Sequence, residues 1–151
     1  MASNAMTSAG TTLSICPTLP ANYDAAGFGA VGMTYTLVGE ITDLGEFGKE
    51  YNLITHNPLG DRKTYKLKGS YNNGSIQASM ALDENDAGQT AMRTAQDSDS
   101  AVTFKVTLQD GTLKYFTGMV MGFRVSVGGV DAITSATSTI EIDSDIVTVT
   151  A

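Results

Sequence analysis

The sequence has no tryptophan, one cysteine, one histidine and three prolines among its 151 residues. The single cysteine, Cys16, excludes an intrachain disulfide, so the fold depends on packing, and we expect its thiol to be buried because free cysteines favour cores. No apolar run approaches the roughly 18 residues that a membrane helix needs, so membrane insertion is not expected. Residues 1–10 have neither a basic nor an apolar segment, which predicts a flexible arm and no signal peptide.

Residues that carry chemistry are equally scarce. His56 stands before Asn57-Pro58 with no nucleophile or carboxylate motif around it, so the sequence does not predict an enzyme. No histidine or cysteine spacing suits zinc. Residues 83–88 begin like a calcium loop, but the loop pattern fails at Ala87 and at Thr94. We therefore expect no metal and no cofactor.

Basic residues are few and unevenly placed. The net charge is −7, which disfavours non-specific binding to nucleic acid. Residues 45–69 nevertheless carry five basic and three acidic side chains, whereas residues 125–151 carry only acidic ones. The acidic residues of that last segment are Asp131, Glu141, Asp143 and Asp145. Opposite charges in one chain favour head-to-tail contacts between copies, and the charged stretch 45–69 has too little apolar surface for a core of its own.

Alternating polar and apolar residues predict a mainly β protein in a single domain spanning 1–151. We expect an antiparallel β-sandwich or barrel of about seven strands, one flanking α-helix (about 86–96), a long β-arm loop (about 45–68) and a C-terminal strand or arm (133–151). Residues 17–32, rich in glycine and proline, are predicted to be a loop. The clearest strands are predicted at 11–15, 33–44, 67–71, 75–82, 101–108, 113–127 and 133–150.

Turn and cap residues refine this prediction. Asn72-Asn73-Gly74 is typical of a hairpin turn that joins two paired strands, and 109–112 is typical of another. Asp86 with Gln89 forms a capping-box pattern at the start of the helix. The stripe Ala87, Ala91 and Ala95 is expected to let the helix lie close on the sheet.

Several segments together resemble the major tail tube protein of long-tailed (siphovirus-type) bacteriophages. They are SAGTTLSI near the start, ITDLGEFGKEYNLITHNPLGDRKTYKLKGSYNNGSIQASMALDENDAGQTAMRTA in the middle, and VTFKVTLQDGTLKYFTGMVMGF before the closing strand. The similarity covers most of residues 8–143. In combination, LGEFGKEY, LKGS, LDENDAGQ and LQDG are moderately specific.

The resemblance implies a virion structural protein assembled in the host bacterial cytoplasm. In that family a small β-sandwich with one helix forms hexameric rings, the rings stack into a helical tube, and DNA passes through the channel without specific binding. Other phage tail proteins meet the tube at its ends. The loop corresponding to residues 45–68 reaches the neighbouring ring, and the terminal arms add contacts.

The resemblance and the polar alternation together nominate three sets of residues. The channel that conducts DNA during genome delivery is expected to have a polar and net acidic lining, and the lumen-facing candidates are Thr34, Thr36, Glu40, Thr42, Ser75, Gln77 and Ser79. The inter-ring arm candidates are Glu46, Phe47, Lys49, Tyr51, His56, Arg62, Lys63, Lys66 and Lys68. The candidate acidic partner surface is Asp131, Glu141, Asp143 and Asp145. Lys105 and Lys114 would be unwelcome in a channel that conducts DNA.

Two alternatives stay open at this point. The chain could be a ring or adaptor protein of a related tail or contractile secretion machine, which would stop at single rings instead of growing tubes. It could also be a monomeric β-sandwich module that binds carbohydrate, although the lack of tryptophan and the 7% aromatic content count against a sugar platform.

Overall fold

The computed structural model describes residues 3–150, and its strands fall into one large sheet and one separate hairpin. The strands are β1 (Thr12–Cys16), β2 (Thr36–Val38), β3 (Ile41–Asp43), β4 (Glu50–His56), β5 (Tyr65–Asn72), β6 (Ser75–Ala81), β7 (Val102–Thr107), β8 (Leu113–Ser126), β9 (Ser135–Ile142) and β10 (Val147–Val149). The helices are α1 (Ala25–Phe28) and α2 (Ala87–Asp97).

The long strand β8 makes this sheet a sandwich. Its first half, up to Gly118, pairs with β7, and its second half pairs with β9. One layer is therefore β2-β1-β7-β8-β10 and the other is β8-β9-β6-β3, every pair being antiparallel. Apolar side chains of both layers join in one buried cluster that includes Leu13, Phe104, Ile76 and Ile140. The predicted antiparallel β-sandwich with one flanking helix is confirmed.

The chain crosses between the two layers not only along β8 but also at a corner between β2 and β3. The prediction of one strand over 33–44 is therefore wrong. The chain turns at Gly39 and Glu40, and Glu40 has the left-handed φ of 61°. Strand β2 before the corner pairs with β1, whereas β3 after it pairs with β6 in the opposite layer. Val38 is 2% exposed and Leu37 is 54% exposed. The side of β2 that holds Val38 and the lumen candidate Thr36 is therefore the buried one.

Helix α2 covers one side of the sandwich and begins where the capping pattern predicts. The Asp86 carboxylate accepts a hydrogen bond from the backbone N–H of Gln89 at 2.9 Å. A Cβ at Gly88 would collide with the backbone of β2, so glycine permits the close approach of helix and strand. The buried face is Gly88, Gln89, Met92 and Ala95. Ala87 is exposed, so the predicted alanine stripe is only partly the contact face.

The stretch 17–32 is not simply a loop, because it contains α1, whose first turn is capped by Asp24. Together with the residues up to β2 it covers the outer side of the β1-β7-β8 layer. Phe28 is buried and its ring lies 5.4 Å from that of Tyr115, while the Tyr35 hydroxyl donates to the Phe28 carbonyl at 2.7 Å. Burial raises the pKa of Tyr35 well above its usual value. Cys16 is 1% exposed, as predicted.

The predicted turn at Asn72-Asn73-Gly74 does not join two paired strands. Strand β5 before it pairs with β4 in the separate hairpin, and β6 after it pairs with β9 and β3. Gly74, with φ 87°, instead turns the chain from the hairpin into the sandwich, and its N–H bonds the Asn72 side chain. The turn predicted at 109–112 does join β7 and β8.

The C-terminal strand predicted at 133–150 is interrupted between β9 and β10. Both strands follow β8, with Ile142 opposite Gly118 and Val147 opposite Tyr115. Between these two pairs, four residues of the C-terminal segment (143–146) lie opposite two residues of β8 (116–117), so the C-terminal segment bulges. Within this bulge the Ser144 side chain accepts a hydrogen bond from the Thr117 N–H. At the other terminus, residues 3–10 have no helix or strand, while residues 1, 2 and 151 lie outside the described range.

Candidate assembly surfaces

The hairpin of β4 and β5 is the most exposed element of the fold. Every residue of β4 is exposed, and of β5 only Gly69 is not. Leu53 is 66% exposed and Leu59, in the connecting loop, is 107% exposed. The other large apolar side chains left open to water on this hairpin are Tyr51, Ile54, Tyr65, Leu67 and Tyr71. A lone two-stranded hairpin is marginally stable in water, so this one is suited to gain stability from contact with another surface.

The base of the hairpin is held by a cluster of tyrosine and lysine side chains. The Tyr51 and Tyr71 rings are 5.3 Å apart across the two strands. Lys49 Nζ lies 4.3 Å from the centre of the Tyr71 ring, and Lys68 Nζ lies 4.8 Å from that of Tyr51. Cation–π contacts at exposed sites contribute about 0.5–1 kcal/mol each. These contacts are enough to orient the hairpin, but they stabilise it much less than a buried hydrophobic core would.

The tip of the hairpin is held by hydrogen bonds to the Asp61 carboxylate. The Tyr65 hydroxyl donates to Asp61 Oδ2 at 2.8 Å, and the Lys63 N–H donates to Asp61 Oδ1 at 3.2 Å. The tyrosine bond is the main cause of the lowered pKa of Asp61, and the same bond raises the pKa of Tyr65. Arg62, Lys63, Lys66 and Lys68 are all exposed.

The structure places most of the arm candidates on this hairpin, but the hairpin begins and ends later in the chain than the predicted arm. Phe47 lies before β4 and packs on the sandwich core, with its ring 6.1 Å from that of Phe116. Glu46 also precedes the hairpin and is exposed. Lys49, at the base, lies 4.0 Å from Asp145 of the same chain. The projecting element is therefore 50–72 and not 45–68.

The second surface is the outer side of the β8-β9-β6 layer, which we call the polar face. In register, Ser75, Gln77 and Ser79 of β6 lie opposite Glu141, Thr139 and Thr137 of β9. The row continues to β8, where Arg124 lies opposite Thr137 and the exposed apolar Met119 lies opposite Glu141. The polar face consists of Ser75, Gln77, Ser79, Arg124, Thr137, Thr139 and Glu141. It carries one acidic and one basic side chain, so it is close to neutral and not net acidic as expected for the channel, because Arg124 of β8 joins Glu141 on it.

The structure divides the seven lumen candidates. Ser75, Gln77 and Ser79 share the polar face, and Thr42 lies beside them, since its hydroxyl donates to the Ser79 carbonyl at 3.1 Å. Thr36 lies opposite Ile15, on the buried side of β2, which departs from the expectation. Thr34 is exposed ahead of β2, and Glu40 is exposed at the sandwich corner.

The β9 and β8 members of the polar face were missed from the sequence. Thr137 and Thr139 alternate with buried Ala136, Ser138 and Ile140, so their pattern was readable. What the pattern could not provide was the neighbour relation of β9 and β6, which are far apart in the chain. Lys105 and Lys114, in contrast, lie on the opposite layer, in the pairing of β7 with the first half of β8.

The four acidic candidates do not form one surface. Asp131 lies in the turn before β9 and Asp143 lies after it, so the whole strand separates them, about 26 Å at 3.3 Å per residue. Glu141 belongs to the polar face. Asp145 is already close to Lys49 of its own chain.

Residues 3–150 contain neither a cluster of metal ligands nor a membrane-spanning helix. No three histidine, cysteine, aspartate or glutamate side chains in this range group closely enough to hold a metal ion. Neither helix of the range has the length and apolar character to cross a membrane. Asp83 and Asp86 instead receive backbone N–H groups around the start of α2.

Comparison with solved structures identifies the fold. The chain matches a protein in the cryo-EM structure of the anti-feeding prophage (AFP) baseplate, 6-fold symmetrised, with a TM-score of 0.71 and 9% identity over 99% of this chain and 98% of that one. It matches the SPP1 tail tube, a hybrid solid-state NMR and cryo-EM structure, with a TM-score of 0.63 and 14% identity over 93% and 77%. No protein-family model and no curated protein matches the sequence.

These matches cover nearly the whole chain at very low identity, so what they establish is the fold. The protein has the fold of phage tail-tube and baseplate subunits. The resemblance to a tail tube protein that the sequence indicated is confirmed at this level.

Proposed function

We propose that the protein is a structural subunit of a phage tail tube. In this proposal six copies form a ring, rings stack through the hairpin into a hollow tube, and DNA travels through a channel lined by the polar face. The observation that carries the proposal is the exposed hairpin on a sandwich that otherwise closes its own core. The fold shared with the SPP1 tail tube and the AFP baseplate supports the same assignment.

The chemistry of the two surfaces fits these roles. Hydroxyl and amide side chains on a nearly neutral face offer phosphates no cluster of positive charge, so DNA would pass without binding. The hairpin combines exposed apolar side chains with four basic ones in its connecting loop and second strand, which suits contact with an unlike surface on another copy. Thr42, Ser75, Gln77, Ser79, Thr137 and Thr139 are the proposed channel residues.

A second candidate is a ring or adaptor protein of a related tail or secretion machine. The match to the AFP baseplate, over almost the full length of both chains, favours it specifically. The two candidates differ in the product of assembly, because a tube protein grows open-ended tubes and an adaptor stops at single rings.

Negative-stain microscopy of the purified full-length protein, over a range of protein and salt concentrations, tests the proposal. We expect open-ended tubes. Single rings under every condition would transfer the assignment to the adaptor, and a monomer under every condition would reject both.

Replacing Arg62, Lys63, Lys66 and Lys68 with glutamate should stop tube growth, because four attractive charges per hairpin become repulsive. The subunit should stay folded, since these side chains are exposed. The matched control exchanges the same four residues between lysine and arginine, which keeps every charge. Circular dichroism checks the fold and microscopy counts the tubes. Unchanged tubes in the glutamate variant would reject the role of charge in stacking.

A further inference from the structure

Beside helix α2 lies a groove that is lined in part by the alanine stripe of the helix. It has a volume of about 560 Å³. Its floor is Ile15, Pro17 and Val102, and its wall is the flank of the helix. The residues of that wall are small, namely Ala87, Thr90, Ala91, Thr94, Ala95 and Ser98. Small side chains allow another backbone to come close, and the volume lies in the range of real binding clefts.

Two acidic residues are next in the chain to the residues at one end of the groove. Asp97 and Asp99 are exposed and alternate with Ser98 and Ser100, which line one end of the groove. Between residues 83 and 102 the chain has five acidic side chains and one basic one, Arg93. Arg93 is already occupied, because it pairs with Glu84 and lies over the Phe123 ring. A largely apolar groove with carboxylates beside one end is therefore suited to a partner whose exposed apolar side chain has basic side chains on one side of it.

The hairpin has one face with that pattern. The registers Leu53 opposite Lys68 and Thr55 opposite Lys66 place these four side chains on the same side of the hairpin. Leu53 is the most exposed apolar residue within the hairpin strands. Lys68 lies directly across from it, with its Nζ over the Tyr51 ring, and Lys66 lies diagonally across. The charge and the apolar pattern of this face complement the groove.

We infer that the α2 groove receives the Leu53 face of the hairpin from a second copy of this chain, with Lys66 and Lys68 meeting Asp97 and Asp99. The inference rests on the proposed function, since it names the surface through which copies join. It also replaces the acidic C-terminal residues as the partner of the hairpin. Those residues are divided between the two ends of β9, and Asp145 is close to Lys49 of its own chain.

Cross-linking between two full-length variants tests the groove. One variant carries Cys16→Ala and Thr55→Cys on the hairpin, and the other carries Cys16→Ala, Thr94→Cys and an added affinity tag that changes its mass. The two are mixed at micromolar concentration with glutathione disulfide as oxidant. A matched control places the second cysteine at Thr137, an exposed position on the polar face.

We expect the mixed disulfide to form on the order of a hundredfold faster with Thr94→Cys than with Thr137→Cys, because docked thiols react at a millimolar effective concentration. Equal rates at the two positions would overturn the inference. Tubes by microscopy with no Thr94 cross-link would leave the tail-tube function standing and reject the groove. A Thr94 cross-link without tubes would support the groove and reject the tube.

Charge exchange provides an independent measurement. Asp97→Lys with Asp99→Lys in the groove variant should slow the mixed disulfide severalfold. Lys66→Asp with Lys68→Asp in the hairpin variant should restore it, since the signs are again opposite. Slow cross-linking that the second pair fails to restore would overturn the pairing of these four charges.

Discussion

At the level of single side chains, Gln89 is the polar residue on which the sandwich corner depends. It is 0% exposed. Its Nε2 donates to the carbonyls of Gly39 at 3.0 Å and Ala81 at 2.9 Å, and its Oε1 accepts from the Asp83 N–H at 3.0 Å. One side chain thus satisfies backbone groups of the corner and of the segment leaving β6. Buried backbone groups are costly to leave unpaired, so the closure of the two layers relies on this amide.

Gln89→Leu should lower the free energy of unfolding by about 2–4 kcal/mol, because the leucine fills the space but leaves those backbone groups without partners. Urea denaturation followed by circular dichroism measures the loss. Gln96→Leu, at an exposed position of the same helix, is the matched control and should change stability little. An equal loss in both variants would show that the amide bonds do not matter.

The capping pattern predicted the place of Gln89 but not this role. Asp86 caps the helix as the local spacing indicates, since that bond spans three residues. The Gln89 side chain bonds groups up to 50 residues away, at the Gly39 carbonyl. Spacing along the chain carries no information on such distant partners.

At the level of elements, the hairpin and the sandwich differ in how they are stabilised. Strands β6, β7 and β9 send Ile76, Phe104 and Ile140 into a shared core. Strands β4 and β5 bond only each other among the described strands, and their side chains are exposed. Local opening of the hairpin therefore costs much less than unfolding of the sandwich.

Amide hydrogen exchange should reveal this difference. In dilute protein, we expect the amides of 50–72 to exchange orders of magnitude faster than those of β6 and β9, because their hydrogen bonds open without breaking the core. In assembled material the hairpin amides should become protected, since a neighbour then covers them. Mass spectrometry of peptides from both regions measures both states. Equal protection of hairpin and sandwich in the dilute protein would contradict the idea of an unsupported arm.

Element types were easier to predict than their pairing. The polar–apolar alternation along β6 and β7 agrees with the burial in the structure, where Ala78, Met80 and Val106 are buried. At Asn72-Asn73-Gly74 the local turn chemistry predicted a hairpin between β5 and β6, but β6 pairs with β9 and β3 instead of β5. Gain of buried apolar surface beside β9 outweighs a local hairpin preference, which contributes little by itself.

At the level of the whole molecule, the sandwich has two unlike outer sides. The β1-β7-β8 layer is covered by the segment with α1, where Phe28 stacks on Tyr115. The polar face of the other layer has no such cover among the described residues and exposes Gln77 and Thr137. A subunit with one covered and one open polar side is suited to stand in a wall between an outside and a channel.

Accessibility to a bulky reagent should tell the two sides apart after assembly. In a Cys16→Ala background, Gln77→Cys should react readily with a polymer-linked maleimide as free subunit and lose this reactivity in tubes, because a long channel admits a large polymer only at its ends. Asn22→Cys, on the segment that covers the other layer, should react in both states. Mass-shift gels measure the labelling. Undiminished labelling of Gln77→Cys in tubes would reject the polar face as channel wall.

The sequence by itself determined the strand-rich composition, the cap of α2, the inward residues of β6 and β7, and the charged character of the arm. Each depends on neighbours a few residues apart, through backbone geometry and the period of two along a strand. Tertiary structure alone decided the corner at Gly39 and Glu40, the separate hairpin 50–72, the joining of β6 and β9 into the polar face, and the groove beside α2. Those features depend on which distant segments bury apolar surface together, and only the folded chain brings them into contact.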